Sequence, residues 1–495
     1  MTDSDHTARP SERPAKSRSI LAFLCRPIVM IPVVMITLLV AIPIVYRSSR
    51  FSGIPPIEDV VDREAASFHL AETENAFTFY RSASSMLPPV SQNSAVDISI
   101  GLETLKFQRG WDSVPEDVRD YLKKSEQALA EWRLGTELDD GVYIDVAAAN
   151  WMAMLPVIQD LRSFSRLAIL QAVRCLDEGK PDDAWQWLRA VLRSSRHSGK
   201  HAGMVERFVG MAMHKTAAQA IAVWATHESV TLKSVENALS EVRSNFKLTA
   251  PASATIKAGY FMSINTILGG RRILDDMFEY QAPDQLVGGY LFVNGEPQLS
   301  LALTRHVFAN FLSQCDLPPW ERGKTGPLWG LYRPTGKESP PLMDPDRLVD
   351  ALGNSVIARD LTPNLSACIR AIDEERTRQH ALEICLLMEI YRRKNSEYPT
   401  TMSQLVPELL PEIPRDWSTS SATDRMLEVQ IGFELTPDDY PELTDLPPLG
   451  LSREGRVIYG RGDNAADDGG QLDRADDVGI WIPVTPARAS EESQK

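Results

Sequence analysis

Cysteine is scarce, five in 495 residues, and no two form a Cys-x-x-Cys pair. That excludes a disulfide-dense scaffold. Cys25 borders an apolar segment, and Cys175, Cys315, Cys368 and Cys385 follow it. One bridge or none are both open, because connectivity cannot be read from sequence. Positive charge is also short: 52 Lys and Arg against 67 Asp and Glu leave a net charge of −15. Such a balance excludes nonspecific nucleic-acid binding, which needs a cationic face to displace counterions. Familiar catalytic signatures are missing. The chain has no Gly-x-Ser-x-Gly elbow and no P-loop. Leu268-Gly269-Gly270-Arg271-Arg272 lacks the spacing of a phosphate cradle.

Hydrophobic residues, in contrast, are plentiful at 43%, which is enough for a packed core and not the mark of a disordered chain. The length suits about two or three domains. One apolar run stands out, PIVMIPVVMITLLVAIPIVY over residues 27–46, without a charge. As a helix at ~1.5 Å per residue it spans ~30 Å of hydrocarbon. Pro27, Pro32 and Pro43 weaken it, but membrane helices tolerate proline. Arg9, Arg13, Lys16, Arg18 and Arg26 precede the run, and acidic residues follow soon after Arg47 and Arg50. The positive-inside rule then predicts a cytoplasmic N-terminus and an extracytoplasmic remainder. A cleaved signal peptide is the rival reading, with an apolar core of ~7–15 residues and a small-x-small site. This run is longer and lacks that site.

The expected organisation is a cytoplasmic tail (1–18), a transmembrane anchor (19–46), a Gly/Pro linker (47–60), a helical domain (61–345), a helix with a C-terminal lobe (346–486) and a disordered tail (487–495). The fold class expected is mainly α: an N-terminal transmembrane helix, an irregular helical-hairpin bundle and a small α+β C-terminal lobe. Ser113 and Glu116 read as a capping box, and Val118, Tyr121, Leu122, Leu129 and Trp132 fall on one face behind it. Further helices are predicted over about 155–176, from Asp182, and over about 202–226 and 231–245. Residues 254–280, 346–354 and 365–394 are also predicted helical, and 281–345 is read as long loops with short elements. A short helix over 403–410 and strands over 456–459 and 480–481 complete the reading.

Candidate catalytic residues are few. His197 and His201 have the i, i+4 spacing of two metal ligands, but no Glu completes His-Glu-x-x-His. Both are read as polar residues after a helix end. His214 lies in an apolar helix and reads as a satisfied core histidine. Glu374 and Glu375 read as part of a charged helical face. The acidic run from Gly460 to Asp477 is the strongest candidate for a metal. Its carboxylates and glycines could supply the ~6–8 oxygens calcium takes. Asp463 and Asp476 lead as ligands, followed by Asp468 and Asp473. Acidic, glycine-rich runs also occur as solvated turns.

Two resemblances add to this. Leu176-x-x-Gly179-x-x-x-x-Ala184-x-x-x-Leu188-x-x-Val191-Leu192 resembles a tetratricopeptide-repeat junction, in a single copy where about three make a solenoid. Tyr398, Pro399, Leu405, Pro414, Asp416, Gly462, Asp463, Gly469, Gly470, Ala475, Asp476 and Trp481 resemble the C-terminal region of the type II secretion major pseudopilin. That likeness implies a calcium-binding loop between strands. It covers about the last hundred residues, and some 350 residues separate this unit from the apolar run. The anchor with its Ile-Pro-Pro linker, Glu74-Asn75-Ala76-Phe77-x-x-Tyr80-Arg81, the hairpin and the acidic tail are together similar to a family of uncharacterised single-span membrane proteins of planctomycete bacteria. That likeness implies architecture, not activity.

The expectation is a membrane-anchored extracytoplasmic scaffold or protein-binding protein, held to lipid by residues 27–46, with no nucleic-acid partner and with Ca2+ as its one candidate cofactor. An extracytoplasmic hydrolase whose site comes together only in three dimensions, and an accessory component of a secretion or pseudopilus-like system, are the alternatives.

Overall fold

The structure is a computed structural model that describes residues 54–63 (except 56), 67–89, 110–269 (except 154), 295–323, 331–333, 343–431, 455–470, 472 and 477–483, with scattered positions between 30 and 45. It falls into two compact units, Met1–Ile54 and Pro55–Lys495. In the first, the described positions of the apolar run are helical, and Met30, Ile31, Val34, Met35, Leu38, Ile42 and Val45 expose their side chains. No helix among the described residues is long and apolar enough to cross a membrane.

The second unit is mainly helical with one small sheet. Its α-helices are α1 (Ala76–Met86), α2 (Glu116–Lys124), α3 (Glu126–Thr136), α4 (Pro156–Asp177), α5 (Pro181–Lys200), α6 (Met204–Thr226), α7 (Leu232–Lys247), α8 (Ala252–Leu268), α9 (Glu296–Leu312), α10 (Pro345–Asn354), α11 (Val356–Leu361) and α12 (Leu365–Asn395). The sheet holds β1 (Leu427–Ile431), β2 (Gly455–Gly460) and β3 (Val478–Pro483), antiparallel in that order.

The α4–α5 hairpin follows from its sequence. Leu161, Phe164, Ala168 and Ala172 recur at helical spacing and are fully buried. Gly179 ends α4 at φ +73°, where a side chain would strain the backbone. Its N–H donates to Leu176 O (2.9 Å) and that of Lys180 to Cys175 O (2.8 Å), the paired bonds of a Schellman stop. Pro181 then opens α5 at its first position, where a missing N–H costs nothing.

Helix α6 is apolar nearly all round, with Ala217, Ala218, Ala220, Ile221, Ala222 and Ala225 buried, so it occupies the centre. α5, α4, α12 and β3 pack on it. α12 has 31 residues, about 46 Å of helix. Arg393 near its end donates to Ala225 O (2.8 Å) and His227 O (3.1 Å), satisfying carbonyls at the C-terminus of α6. The sheet alternates with period two. Ile458, Ile480 and Ile482 face the main core, while Val457, Tyr459 and Trp481 form a second cluster with Leu427 and Val429. Gln219 of α6 exchanges two hydrogen bonds with the backbone of Trp481 (2.7 and 3.1 Å), so a side-chain amide covers an outer strand. A single hydrophobic cluster runs from Ala76 of α1 to Ile482 of β3.

Several local expectations change. Pro115, not Ser113, stands at the N-cap of α2, and Glu116 is its first residue; the extended ψ of Pro115 starts the helix there. Ser125 separates α2 from α3, although Val118, Tyr121, Leu122, Leu129 and Trp132 are all buried as the pattern required. α9 lies where loops were expected, and β1 is a strand that was not foreseen. The short helix after Pro399 is only a 3-10 turn, Met402–Leu405. Cys175, Cys315, Cys368 and Cys385 are free, buried thiols. Cys25 and the residues from Gly270 to Asn294 lie outside the described residues.

Candidate functional site

Charge inside this unit is concentrated where α5 meets its neighbours. Arg196 of α5, Arg207 of α6 and Glu375 of α12 form a triad, each 3% exposed or less. Arg196 Nη1 lies 2.7 Å from Glu375 Oε1, Arg207 Nη2 donates to Glu375 Oε2, and Arg196 Nε donates to Asn245 Oδ1 (2.9 Å). Burial pushes the Glu375 carboxyl up, but Arg207 and Arg196 outweigh it and hold it at about 2. Glu375 therefore is not on a solvated face, as its sequence neighbourhood suggested; Glu374 is the member of the pair that meets its own helix, 3.1 Å from Arg378. His214 is fully buried, as expected of a core histidine. Among the described residues neither of its ring nitrogens has a hydrogen-bond partner, so it is not the satisfied histidine predicted. Burial and the charge of Arg196 depress it to about 3.

His197 is buried inside α5, since that helix runs on to Lys200. Its Nε2–H donates to Leu138 O (3.0 Å), because a carbonyl can only accept; Nδ1 then accepts from the Tyr80 hydroxyl (2.7 Å). Burial, then Arg193, lowers its pKa to about 4, so it is neutral at pH 7. The four-residue spacing therefore does not bring His197 and His201 to one ligand: His197 faces inward, while His201 lies at the helix end beside Asp140.

His201 belongs to a small polar cleft. Asp140 receives Lys200 Nζ at 2.6 Å and His201 Nε2 at 3.2 Å. The His201 ring stacks on Phe68 at 3.7 Å, 8° from parallel. Burial raises the Asp140 carboxyl, but hydrogen bonds from His201 and Lys200 prevail and hold it at about 2. The cleft has a volume of about 210 Å³ and continues past Val142, Asp145, Ser253 and Lys257. Its wall is fixed by the Asn75-Ala76-Phe77-x-x-Tyr80-Arg81 segment. Asn75 caps α1 and also exchanges two hydrogen bonds with the backbone of Val142 (both 2.9 Å). Tyr80 fixes His197, and Arg81 donates to Tyr143 O. Asp145 is held by Ala147 N (3.1 Å) and Ser67 Oγ (3.2 Å).

The chain entering this unit is strapped across α8 and α9. His306 Nε2 donates to Pro55 O (2.8 Å), and Tyr260 OH to Asp59 Oδ1 (2.6 Å). Arg63 reaches Ala147 O (2.7 Å) and Asn265 Oδ1 (2.9 Å). A second and larger opening, about 500 Å³, lies between α3, α4 and α5. Leu129, Ala130, Leu134 and Trp187 supply its apolar lining, and Leu134 is 56% exposed. On its rim Glu126 pairs with Arg174 (3.4 Å) and Glu137 with Arg189 (2.7 Å), while Arg133 lies over the Trp187 ring (4.8 Å).

In the acidic loop between β2 and β3, each described carboxylate has a partner. Asp463 pairs with Arg370 of α12 (2.7 Å). Asp467 accepts from Tyr459 OH (2.8 Å) and Gly469 N (3.1 Å), and Asp468 from Asn464 (3.2 Å). Asp477 accepts from Gly470 N (2.8 Å). The described carboxylates thus turn to separate partners, and no three His, Cys, Asp or Glu converge on one point among the described residues. Asp473 and Asp476 lie outside the described residues. Asp416 anchors the loop's root. Fully buried, it accepts from Ser418 N (2.8 Å) and Arg461 N (2.7 Å). A Cβ on Gly460 would stand 2.2 Å from its Oδ1, so this close approach requires glycine.

The fold and its openings define a mainly helical protein with an apolar-floored groove and a small polar cleft beside which Asp140 holds Lys200 and His201. No protein family, no curated protein and no solved structure matches the chain.

Proposed function

We propose that the chain is a membrane-anchored extracytoplasmic binding protein, whose helical-hairpin bundle, tetratricopeptide-like at the α4–α5 turn, receives a peptide segment of a protein partner. The observation that carries this reading is the groove over α3, α4 and α5. An open apolar floor accepts apolar anchors from a helical or extended segment. The pairing of Asp140 with Lys200 and His201 favours binding over hydrolysis here. A general base works best with a pKa near the operating pH, and Asp140 at about 2 is far from it. The exposed apolar side chains between Met30 and Val45 support residues 27–46 as the lipid anchor, and the cationic residues before the run support a cytoplasmic N-terminus. In this reading the C-terminal α+β lobe binds calcium only if Asp473 and Asp476 join Asp463 and Asp468.

The test uses the full chain in detergent, immobilised and panned against a random peptide library. Enriched peptides should share apolar anchors at helical spacing and lose at least about tenfold in affinity on Leu134→Glu, which puts a charge in the apolar floor. No enrichment, or binding indifferent to Leu134→Glu, overturns the proposal. So does ester, peptide, phosphate or glycoside hydrolysis that disappears on His201→Ala.

A further inference from the structure

Two arginines lie on a pair of touching indoles. Arg376 of α12 and Arg415 have no carboxylate within ion-pair distance and no hydrogen-bond partner for their guanidinium groups among the described residues. Both are half-buried. Each lies on an indole: Arg376 Cζ is 4.3 Å from the ring centre of Trp417, and Arg415 Cζ 5.1 Å from that of Trp320. The two indoles meet edge to face, with centroids 5.3 Å apart.

Buried carboxylates hold this arrangement still. Arg322, two residues after Trp320, makes a two-pronged bond to Asp373 of α12 (2.5 and 2.9 Å). That fixes the Pro319–Glu321 turn on the helix that carries Arg376. Asp416, between Arg415 and Trp417, is locked by Ser418 N and Arg461 N. The positive charges nearby are otherwise spent: Arg322 on Asp373, Arg370 on Asp463 and Arg461 on Asp424 (3.5 Å). Burial holds the Arg376 pKa below its usual value, with Asp373 acting against it, which fits a cation that lacks a counter-charge of its own.

A guanidinium stacked on an indole uses its face and leaves its in-plane N–H donors free. Those donors match the paired oxygens of a carboxylate, phosphate or sulfate. Because one face of each indole is taken by its arginine, the tryptophans serve as supports rather than as a platform for a ring. We propose that Arg376 and Arg415, set on Trp417 and Trp320, form an oxyanion-binding site, recognising a phosphate, sulfate or dicarboxylate group of a ligand in the compartment the domain faces. It is separate from the groove, so either assignment stands if the other fails.

The test uses the full chain in detergent and a chloride buffer. Inorganic phosphate, sulfate and succinate are titrated separately by calorimetry, and which of the three binds tightest identifies the chemistry. At least one should bind saturably. Arg376→Lys, which keeps the charge and loses the fork, should weaken it by about tenfold, and Arg376→Gln with Arg415→Gln should abolish it. Arg243→Gln, at a surface arginine paired with Glu383, should leave it unchanged. Should the double variant fail to fold, the wild type still decides. Phenylglyoxal should label Arg376 and Arg415, and the bound anion should protect those two in peptide mass maps. No saturable binding of any of the three anions, binding insensitive to both substitutions, or labelling that no anion alters overturns the proposal.

Discussion

Arg196 and Lys200 lie four residues apart on α5, yet each belongs to a cluster of opposite character. Arg196 joins Arg207 and Glu375 in a triad closed to water, whereas Lys200 joins His201 and Asp140 at the lip of a cleft. Both clusters set two nitrogen donors on one carboxylate, and both hold that carboxylate at about 2. The difference is solvent. Removing one partner of a buried set strands a charge without water, while a half-exposed set is compensated by solvent and screened by salt. The triad is thus a clamp across α5, α6 and α12, and the cleft cluster is a local fastening.

That comparison can be broken in several ways. The largest effect should come from Arg207→Met alone, a loss of about 3–5 kcal/mol in urea unfolding. Adding Arg196→Met and Glu375→Leu should recover most of it, because an apolar triad leaves no charge buried; a triple variant as unstable as the single would mean the charges do more than clamp. Acid comes next. His197 and His214 are held neutral below their ordinary value of about 6.5, at about 4 and about 3. The unfolded chain takes up those protons first, so stability is full above pH ~6.5 and falls on the way to pH ~4, by about 3 kcal/mol for His197 alone. Glu375 removes more between about pH 4.3 and 2. A pH series of melts checks this, and Tyr80→Phe with His197→Gln should flatten the upper part of the fall. Gly179→Ala should cost about 1–2 kcal/mol, from forcing a Cβ into the left-handed region, with no change in peptide binding. Smallest is calcium: if Asp473 and Asp476 complete the loop, the full chain should melt a few degrees higher in calcium than in chelator, and identical melts remove that ligand set.

Much of the helical framework was legible. The α4–α5 hairpin announced itself through its apolar period, Gly179 and Pro181, all local signals. The Asn75-to-Arg81 segment was visible as a pattern, but not its task, since Asn75 bonds a loop 67 residues away. Glu375 was misread for a related reason. Its partners lie 168 and 179 residues earlier, and a buried carboxylate looks like a solvated one when its arginines are unseen. α9 was hidden by the glycines and prolines around it. β1 was missed although Leu427-Glu-Val-Gln-Ile431 alternates with period two, because the run is only five residues long. Arg376 and Arg415 carry no sequence signal, as what distinguishes them is the pair of indoles, Trp417 and Trp320, that the fold brings together beneath them.

The most direct measurement is urea unfolding of Glu375→Gln and Asp140→Asn beside the wild type at pH 7. Burial, rather than charge, predicts a loss of about 3–5 kcal/mol for the first and under about 1 kcal/mol for the second. Equal losses, or a larger one for Asp140→Asn, would contradict the division of α5 into a sealed clamp and an open cleft.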